Sequence, residues 1–409
     1  MMSFSKTARS MGWLLTAAVL AILLACAASQ QGEQASTELD QAALREQARA
    51  DSIKAARELE IRKIKSTGSE YHKNRQYADA IPHLEKVLEL DPQNEGAYFM
   101  LADCYFRMDQ LDEAIEVYQR AITADPGNGN FHQYLGYMLD SKGNTQEAMT
   151  AYQTAVELMP ENLDAHKALA NLYLGQEMDM PAIEHFAKVV EIDDTRSEVL
   201  TVLAKLYAKH GMTEDLAKTY EQLLKLHPQD PIYMLELGKV YTELGRNEEA
   251  ILLLRDLLTQ QEDNVMACLY LGTALNNDAQ CIEAIDIFQR ALKLEPKNLR
   301  ALSDMAYSYS ENGNHARARE ILGQVAKLDA SYAYRYVVRG EIYENEAEPH
   351  IKSDGTVKYE GKVKFEKAVA EYKKALKDPE WGSYARRKID YLTPFLPTDE
   401  DRFFHGQEG

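Results

Sequence analysis

Four cysteines and ten histidines are the side chains of this 409-residue chain with the most chemistry to offer. A thiolate can attack, carry a lipid or bind a metal, and an imidazole can move a proton or ligate. Their spacing argues against most of these uses. No cysteine pair stands at zinc-ligand spacing, and no His-Glu-x-x-His, phosphate loop or nucleophile elbow occurs. Cys268 and Cys281, near opposite ends of a first helix and its turn, are expected about eight rungs apart along the helix axis, ~12 Å at 1.5 Å per residue, too far to bridge. With the remote Cys104 they read as three small, buried, unbridged side chains. Cys26 is different. It follows Ala25 at the end of an uncharged apolar run, Met11 to Leu24, preceded by Lys6 and Arg9. That run is short for a spanning helix and suits a signal-peptide apolar region. The reading gives no catalytic residue, no metal ligand and no cofactor.

Leu23-Leu24-Ala25-Cys26 resembles a bacterial lipobox: aliphatic residues, a small residue before the cut, then Cys. The resemblance implies diacylglycerol on the Cys26 sulfur, cleavage after Ala25 and acylation of the new amino group. Several acyl chains on one residue give a stable anchor where a single chain is marginal. The alternative is an uncleaved signal anchor with an incidental Cys26. In Gram-negative sorting an Asp after the Cys favours the inner membrane. Ala27 in its place implies an envelope protein at the outer membrane, facing the periplasm. Residues 1–25 are then the signal peptide, and 26–60 hold the lipidated Cys, a polar spacer and a charged helix. From Glu38 to Leu59 the chain is rich in Ala, Glu, Arg and Leu, strong helix formers, with only a thin apolar stripe. It reads as a helix lifting the body off the membrane, with a disordered tether as the alternative.

The body must be built from elements that share one period. Pro92, Pro126 and Pro160 are spaced by 34 residues, and Pro228 and Pro296 fall on later beats. Repeat starts follow at Ile61, Glu95, Gly129, Leu163, Ser197, Pro231, Val265, Leu299 and Ala333. The eighth residue is always Gly or Ala, as in Gly136, Gly238 and Gly272. The twentieth is nearly always Ala, and the eleventh and twenty-fourth are large, as in Tyr105 and Phe288. Positions 4, 7, 8 and 11 share a helical face, so each repeat predicts two short helices that touch across a small residue. No such pair buries its apolar face alone, so the pairs must stack. With 46 Lys and Arg against 65 Asp and Glu, the formal charge of −19 argues against nucleic acid as a partner.

These residues resemble the tetratricopeptide repeat. The resemblance implies an all-α fold, an α-solenoid right-handed superhelix of about nine repeats over 61–378, with an insert at about 344–361. A capping helix is expected at 379–391, with Trp381, Tyr384 and Ile389 facing inward, and an extended tail at 392–409. Asp354-Gly355 in the insert gives a hairpin signal, with a disordered loop as the alternative. The second helix of that repeat is expected from Phe365 to Leu376.

The family also implies a concave groove, lined mainly by each first helix, that holds an extended peptide or a partner helix. Its positions give Phe99, Asp103, Phe106 and Arg107, then Gln133, Tyr134 and Tyr137, then Lys167 and Asn171. Lys205, Lys239, Tyr270, Tyr307 and Tyr334 follow, with Asp304 and Glu341 beside them. The aromatics read as binding anchors or as packing between repeats. Lys167 and Asn171 match the first pair of a chaperone-tail clamp, but Val202, Ile232 and Glu236 fail its next positions. His132 and His166, at position 4 of their repeats, read as packing residues. A basic stretch at 362–388, nine Lys and Arg against four Asp and Glu, reads as a solvated cap.

The sequence therefore predicts a membrane-anchored scaffold or adaptor, without enzymatic activity, that holds a protein or peptide partner in assembly of an envelope complex. Its oligomeric state is left open. The rivals are a chaperone-like holder of exported polypeptides and an accessory subunit of an envelope enzyme. A polar pocket around His350 would favour a site in the insert.

Overall fold

The computed structural model describes residues 42–405. The expected signal peptide, Cys26 and the spacer lie outside the described residues, as do 406–409. The chain divides into two compact units, one ending at Leu172 and the other beginning at Tyr173.

Unit 1 holds α1 (42–73), α2 (Tyr77–Leu90), α3 (Glu95–Arg107), α4 (Leu111–Ala124), α5 (Gly129–Lys142) and α6 (Thr145–Leu158), and ends in α7 (Leu163–Gly175). Unit 2 continues with α8 (Asp179–Ile192), α9 (Ser197–Lys209), α10 (Thr213–Leu226), α11 (Pro231–Glu243), α12 (Asn247–Gln260) and α13 (Val265–Asn277). Then come α14 (Cys281–Leu294), α15 (Leu299–Glu311), α16 (His315–Leu328), α17 (Tyr334–Ala347), α18 (Tyr359–Ala375), α19 (Gly382–Leu392) and α20 (Asp399–His405). The fold is all-α, consecutive helix-turn-helix pairs of α-solenoid type. From α3 to α15 each first helix begins on the residue where the 34-residue spacing puts a repeat start.

Local chemistry sets these boundaries. Asn94, Asn162, Asp230, Asn264 and Asn298 each accept a backbone N–H of the first turn that follows, satisfying a donor the helix cannot. The turn within each pair falls on position 15, where the backbone is left-handed: Gly143, Gly211, Gly245 and Gly313 have φ of 66 to 86°. Arg75, Asp109, Glu177 and Ala279 hold φ of 57 to 61° at the same place. The following N–H reaches back to position 11, from Asn144 to the Leu139 carbonyl at 2.9 Å and from Gln280 to Leu275 at 2.8 Å. This is the Schellman closure of a helix end.

Within a pair, the residue at position 24 lies directly on the backbone of position 8. A Cβ added to Gly272 would stand 2.5 Å from the Phe288 ring, and one on Gly238 2.6 Å from Leu254. Phe288 and Leu254 are fully buried. Position 24 therefore packs inside its own pair. At position 4, Tyr98, His132 and His166 donate to the carbonyls of Pro92, Pro126 and Pro160 at 3.1, 3.3 and 3.1 Å. Each ring ties a helix to the proline that closed the previous repeat.

The chain ends depart from expectation in several places. α1 is continuous with the first pair, and 42–60 is exposed throughout, including Leu44 and Ile53. Cys104 and Cys268 are buried, but Cys281 is only half-buried, because it is the first residue of α14. The insert leaves α17 through a 3-10 turn, Glu348–His350, and doubles back at Gly355, whose φ is +82°. One antiparallel bridge, Ile351 with Val357, closes it. α18 begins at Tyr359, earlier than the expected Phe365, because Lys358 is tied to His350 and Val357 is buried under it. Trp381, Tyr384 and Ile389 pack against a cluster built on Val337, Phe365 and Tyr372. The tail is not extended: a 3-10 turn at Thr393–Phe395 leads to α20. Thr398 caps that helix, its hydroxyl accepting from the Asp401 N–H at 3.1 Å while its own N–H donates to the Asp401 carboxylate at 2.8 Å.

Candidate partner-binding site

In unit 1, α3 and α5 turn a series of rings toward one cleft. Phe99, Asp103, Phe106 and Arg107 share a face of α3 at helical spacing. α5 adds Tyr134, Tyr137 and Met138, and the buried Tyr118 of α4 forms the floor. The cleft encloses about 320 Å³. Tyr134 stacks on Tyr118 with centroids 5.9 Å apart and meets Phe99 edge-on at 5.1 Å. Phe106 meets Tyr137 at 5.7 Å. Such pairs contribute about 0.5–1.5 kcal/mol beyond area burial, so the rings are held in place before anything arrives. Tyr134 and Tyr137 remain 41% and 47% exposed, which leaves each an outer face for another molecule.

The rim is polar. Asp103 accepts from His72 Nε2 at 2.7 Å and from Arg107 Nε at 3.2 Å. The Arg107 side chain is 58% exposed, so its ion pair adds little stability. Its effect is to hold a guanidinium with spare donors beside the rings. Burial pushes the Tyr118 hydroxyl well above the usual tyrosine range, so the floor is a neutral phenol. The arrangement offers an apolar side chain a slot and a neighbouring backbone or carboxylate a fixed donor.

Six of the sequence-selected residues meet here: Phe99, Asp103, Phe106, Arg107, Tyr134 and Tyr137. Gln133 does not join the lining. Its side-chain oxygen accepts from Asn162 at 2.6 Å. Lys167 is half-buried and Asn171 exposed, both on α7 and outside the lining. In unit 2, Lys205 is exposed, while Lys239, Tyr270 and Tyr307 are half-buried. Burial raises the hydroxyls of Tyr270 and Tyr307.

Tyr334 and Asp304 correct the groove assignment. Trp381 stacks on Tyr334 at 4.2 Å, and the Tyr334 hydroxyl donates to Asp304 at 2.6 Å. Asp304 is 4% exposed and also accepts from Arg300 at 2.6 Å. These groups are consumed by the fold, because the segment before α19 lies over them. Glu341 is likewise enclosed, accepting from the Tyr384 hydroxyl at 2.6 Å. The sequence reading missed Tyr118 and Met138 as lining residues. The one available signal was the phenol at position 24 of that repeat, beside Tyr134 on the next first helix.

Among the described residues there is no group of three or more His, Cys, Asp or Glu that could hold a metal ion. Among them, too, no helix is long and apolar enough to cross a membrane.

Two family models described as tetratricopeptide repeat match the chain, one over 71–135, 141–206 and 281–336 and the other over 201–265. Together they span more than half of it. No curated protein matches significantly. Among solved structures, pilF of Pseudomonas aeruginosa is 20% identical, covering 52% of this chain and 96% of that one, with a TM-score of 0.36. MamA from Desulfovibrio magneticus RS-1 is 18% identical, covering 42% and 96%, with a TM-score of 0.37. A tetratricopeptide repeat protein from Parabacteroides merdae is 17% identical, covering 72% and 97%, with a TM-score of 0.29. At these scores the likenesses carry no argument about function.

Proposed function

From the premise that the chain belongs to the tetratricopeptide-repeat proteins, we propose that it is a non-catalytic adaptor that grips one protein partner through the aromatic cleft of unit 1. The observation that carries this is the pairing of two half-exposed phenols, Tyr134 and Tyr137, with a preset Asp103–Arg107 rim. Rigid aromatic rings supply contact area at low entropy cost, and a fixed guanidinium orients the ligand. The occupant is an extended segment or helix that inserts an apolar side chain between Phe99, Phe106 and the tyrosines. A chaperone-like holder would bind many sequences weakly, whereas a slot of about 320 Å³ with a fixed polar rim suits one sequence.

The lipobox at Cys26 supports an anchored protein. The adaptor then holds its partner at the envelope face of a membrane, at the outer membrane by the Ala27 rule, during assembly of an envelope complex. Two experiments test the reading. A photocrosslinker at Tyr137 in intact cells is expected to capture one stoichiometric partner. The purified pair is expected to weaken at least tenfold with Tyr134→Ala. A ladder of unrelated products, or unchanged affinity, would overturn the adaptor assignment. Replacing Cys26 with Ser is expected to release the protein to soluble fractions, and continued membrane association would refute the lipid anchor.

A further inference from the structure

A cavity of about 660 Å³ opens in unit 2 where the insert meets the preceding pair. Its walls are the first turn of α16, the end of α17, the 3-10 turn with His350, and one face of α18. No tetratricopeptide pair needs that third wall; the inserted segment supplies it. The charge in the cavity is one-sided. Arg319, Lys364 and Lys367 line it against a single carboxylate, Glu346. Glu346 is 7% exposed, and each of its two oxygens is already committed, one to Arg319 and one to Lys364. Its charge is therefore spent orienting two cations whose remaining donors are not used by it. Lys367 stands one turn beyond Lys364 on the same face, exposed, with no ion pair among the described residues.

His315 and His350 complete the ring of donors. His315 Nδ1 lies 3.0 Å from the Ser310 hydroxyl. Burial lowers its pKa, with Arg319 and Lys364 adding to the effect and Glu311 and Glu348 opposing it. α16 adds the free N–H groups of a 14-residue helix, since Asn314 caps only the Arg317 N–H. A net positive pocket is unexpected on a chain with a formal charge of −19.

We propose that this cavity binds a multiply charged oxyanion of the phosphate class, held between Lys367, Arg319 and Lys364 with His315 and His350 beside them. The same chemistry is carried by a free phosphorylated small molecule and by a phospholipid headgroup. It is independent of the aromatic cleft.

The test is calorimetric titration of the full chain with inorganic pyrophosphate at low salt, with Lys367→Ala and Lys367→Arg in parallel. Lys367 makes no ion pair, so the alanine variant is expected to fold and melt like the parent. Expected is one site per chain, weakened tenfold or more by Lys367→Ala and largely kept by Lys367→Arg. Sedimentation with phosphatidic acid vesicles, whose headgroup is a phosphomonoester, competed by pyrophosphate, separates the sources. Pyrophosphate-sensitive pelleting that needs Lys367 identifies the headgroup, and calorimetric binding without pelleting identifies the soluble ligand. Absence of both, or binding that ignores Lys367→Ala, overturns the proposal.

Discussion

Glu341 shows what one half-buried carboxyl does to the stability of unit 2. Its carboxyl faces the Tyr384 hydroxyl and Lys388, with Glu344 and Asp304 as like charges nearby. Burial outweighs the two favourable partners and pushes its pKa up to about 7. In the unfolded chain the same group titrates at about 4.3. Below that pH the carboxyl is protonated in both states and there is no penalty. Between the two values the unfolded chain sheds the proton and the native chain keeps it, so stability falls as pH rises and levels off above 7. The loss is on the order of 3–4 kcal/mol. Glu341→Gln keeps an oxygen for Tyr384 and removes the titration. Its melting curve is expected to lie above that of the parent at pH 8 and to converge with it near pH 4. Curves that stay together across that range would mean the carboxylate is held charged and stable.

At the scale of the helix pair, two contacts set the energy, and each yields a prediction. A Cβ on Gly272 would sit 2.5 Å from Phe288, inside its ring contact. Overpacking of this kind costs about 1–3 kcal/mol, against about 1 kcal/mol regained in helix propensity. Gly272→Ala is expected to lower the denaturation midpoint, and adding Phe288→Leu to recover part of the loss. Simple additivity in that double-mutant cycle would contradict the contact. The turn is the second case. Ala279 sits at φ 57°, where a Cβ costs about 1–2 kcal/mol. Ala279→Gly is expected to stabilise by about 0.5–1 kcal/mol after its greater chain entropy is charged against it. Helix starts were legible in the sequence because Pro and Gly or Ala recur at fixed offsets. The turns at Arg75 and Glu177 were not, since nothing in those side chains signals left-handed backbone, and Asp109 carries only a weak signal for it. The extended tail expected from Pro394 and Pro397 fails for another reason: the Thr398–Asp401 capping box starts a helix directly after them. Most of the rim of the unit 1 cleft was readable from first-helix positions, but its floor, Tyr118 on the second helix α4, was not. Tyr334 was not, because the ring that covers it, Trp381, comes from a segment far along the chain.

For the molecule as a whole, stability in stacked pairs is close to a sum of local and nearest-neighbour terms, so an end matters more than a middle. The C-terminal end is closed by α19 and the turn after it: Ala385 and Leu392 are fully buried in the cluster of Val337, Phe365 and Tyr372. Tyr384 and Lys388 reach Glu341 and Glu344 on α17, at 2.6 and 3.1 Å. Ending the chain at Asp378 removes these groups together. It uncovers an apolar face, strips Glu341 of its Tyr384 donor and takes Lys388 from Glu344, which keeps only the Tyr372 hydroxyl. The expected outcome is local opening of the last pairs, read by hydrogen exchange as lost protection in α17 and α18. α3 to α6 belong to the other unit and are expected to exchange as in the full chain. The cation cavity, walled by α16, α17 and α18, is expected to lose pyrophosphate binding in the same truncation, while the aromatic cleft keeps its partner. Protection lost uniformly from Glu95 to Leu158 would show that the chain folds as one cooperative body, and the nearest-neighbour account would then fail.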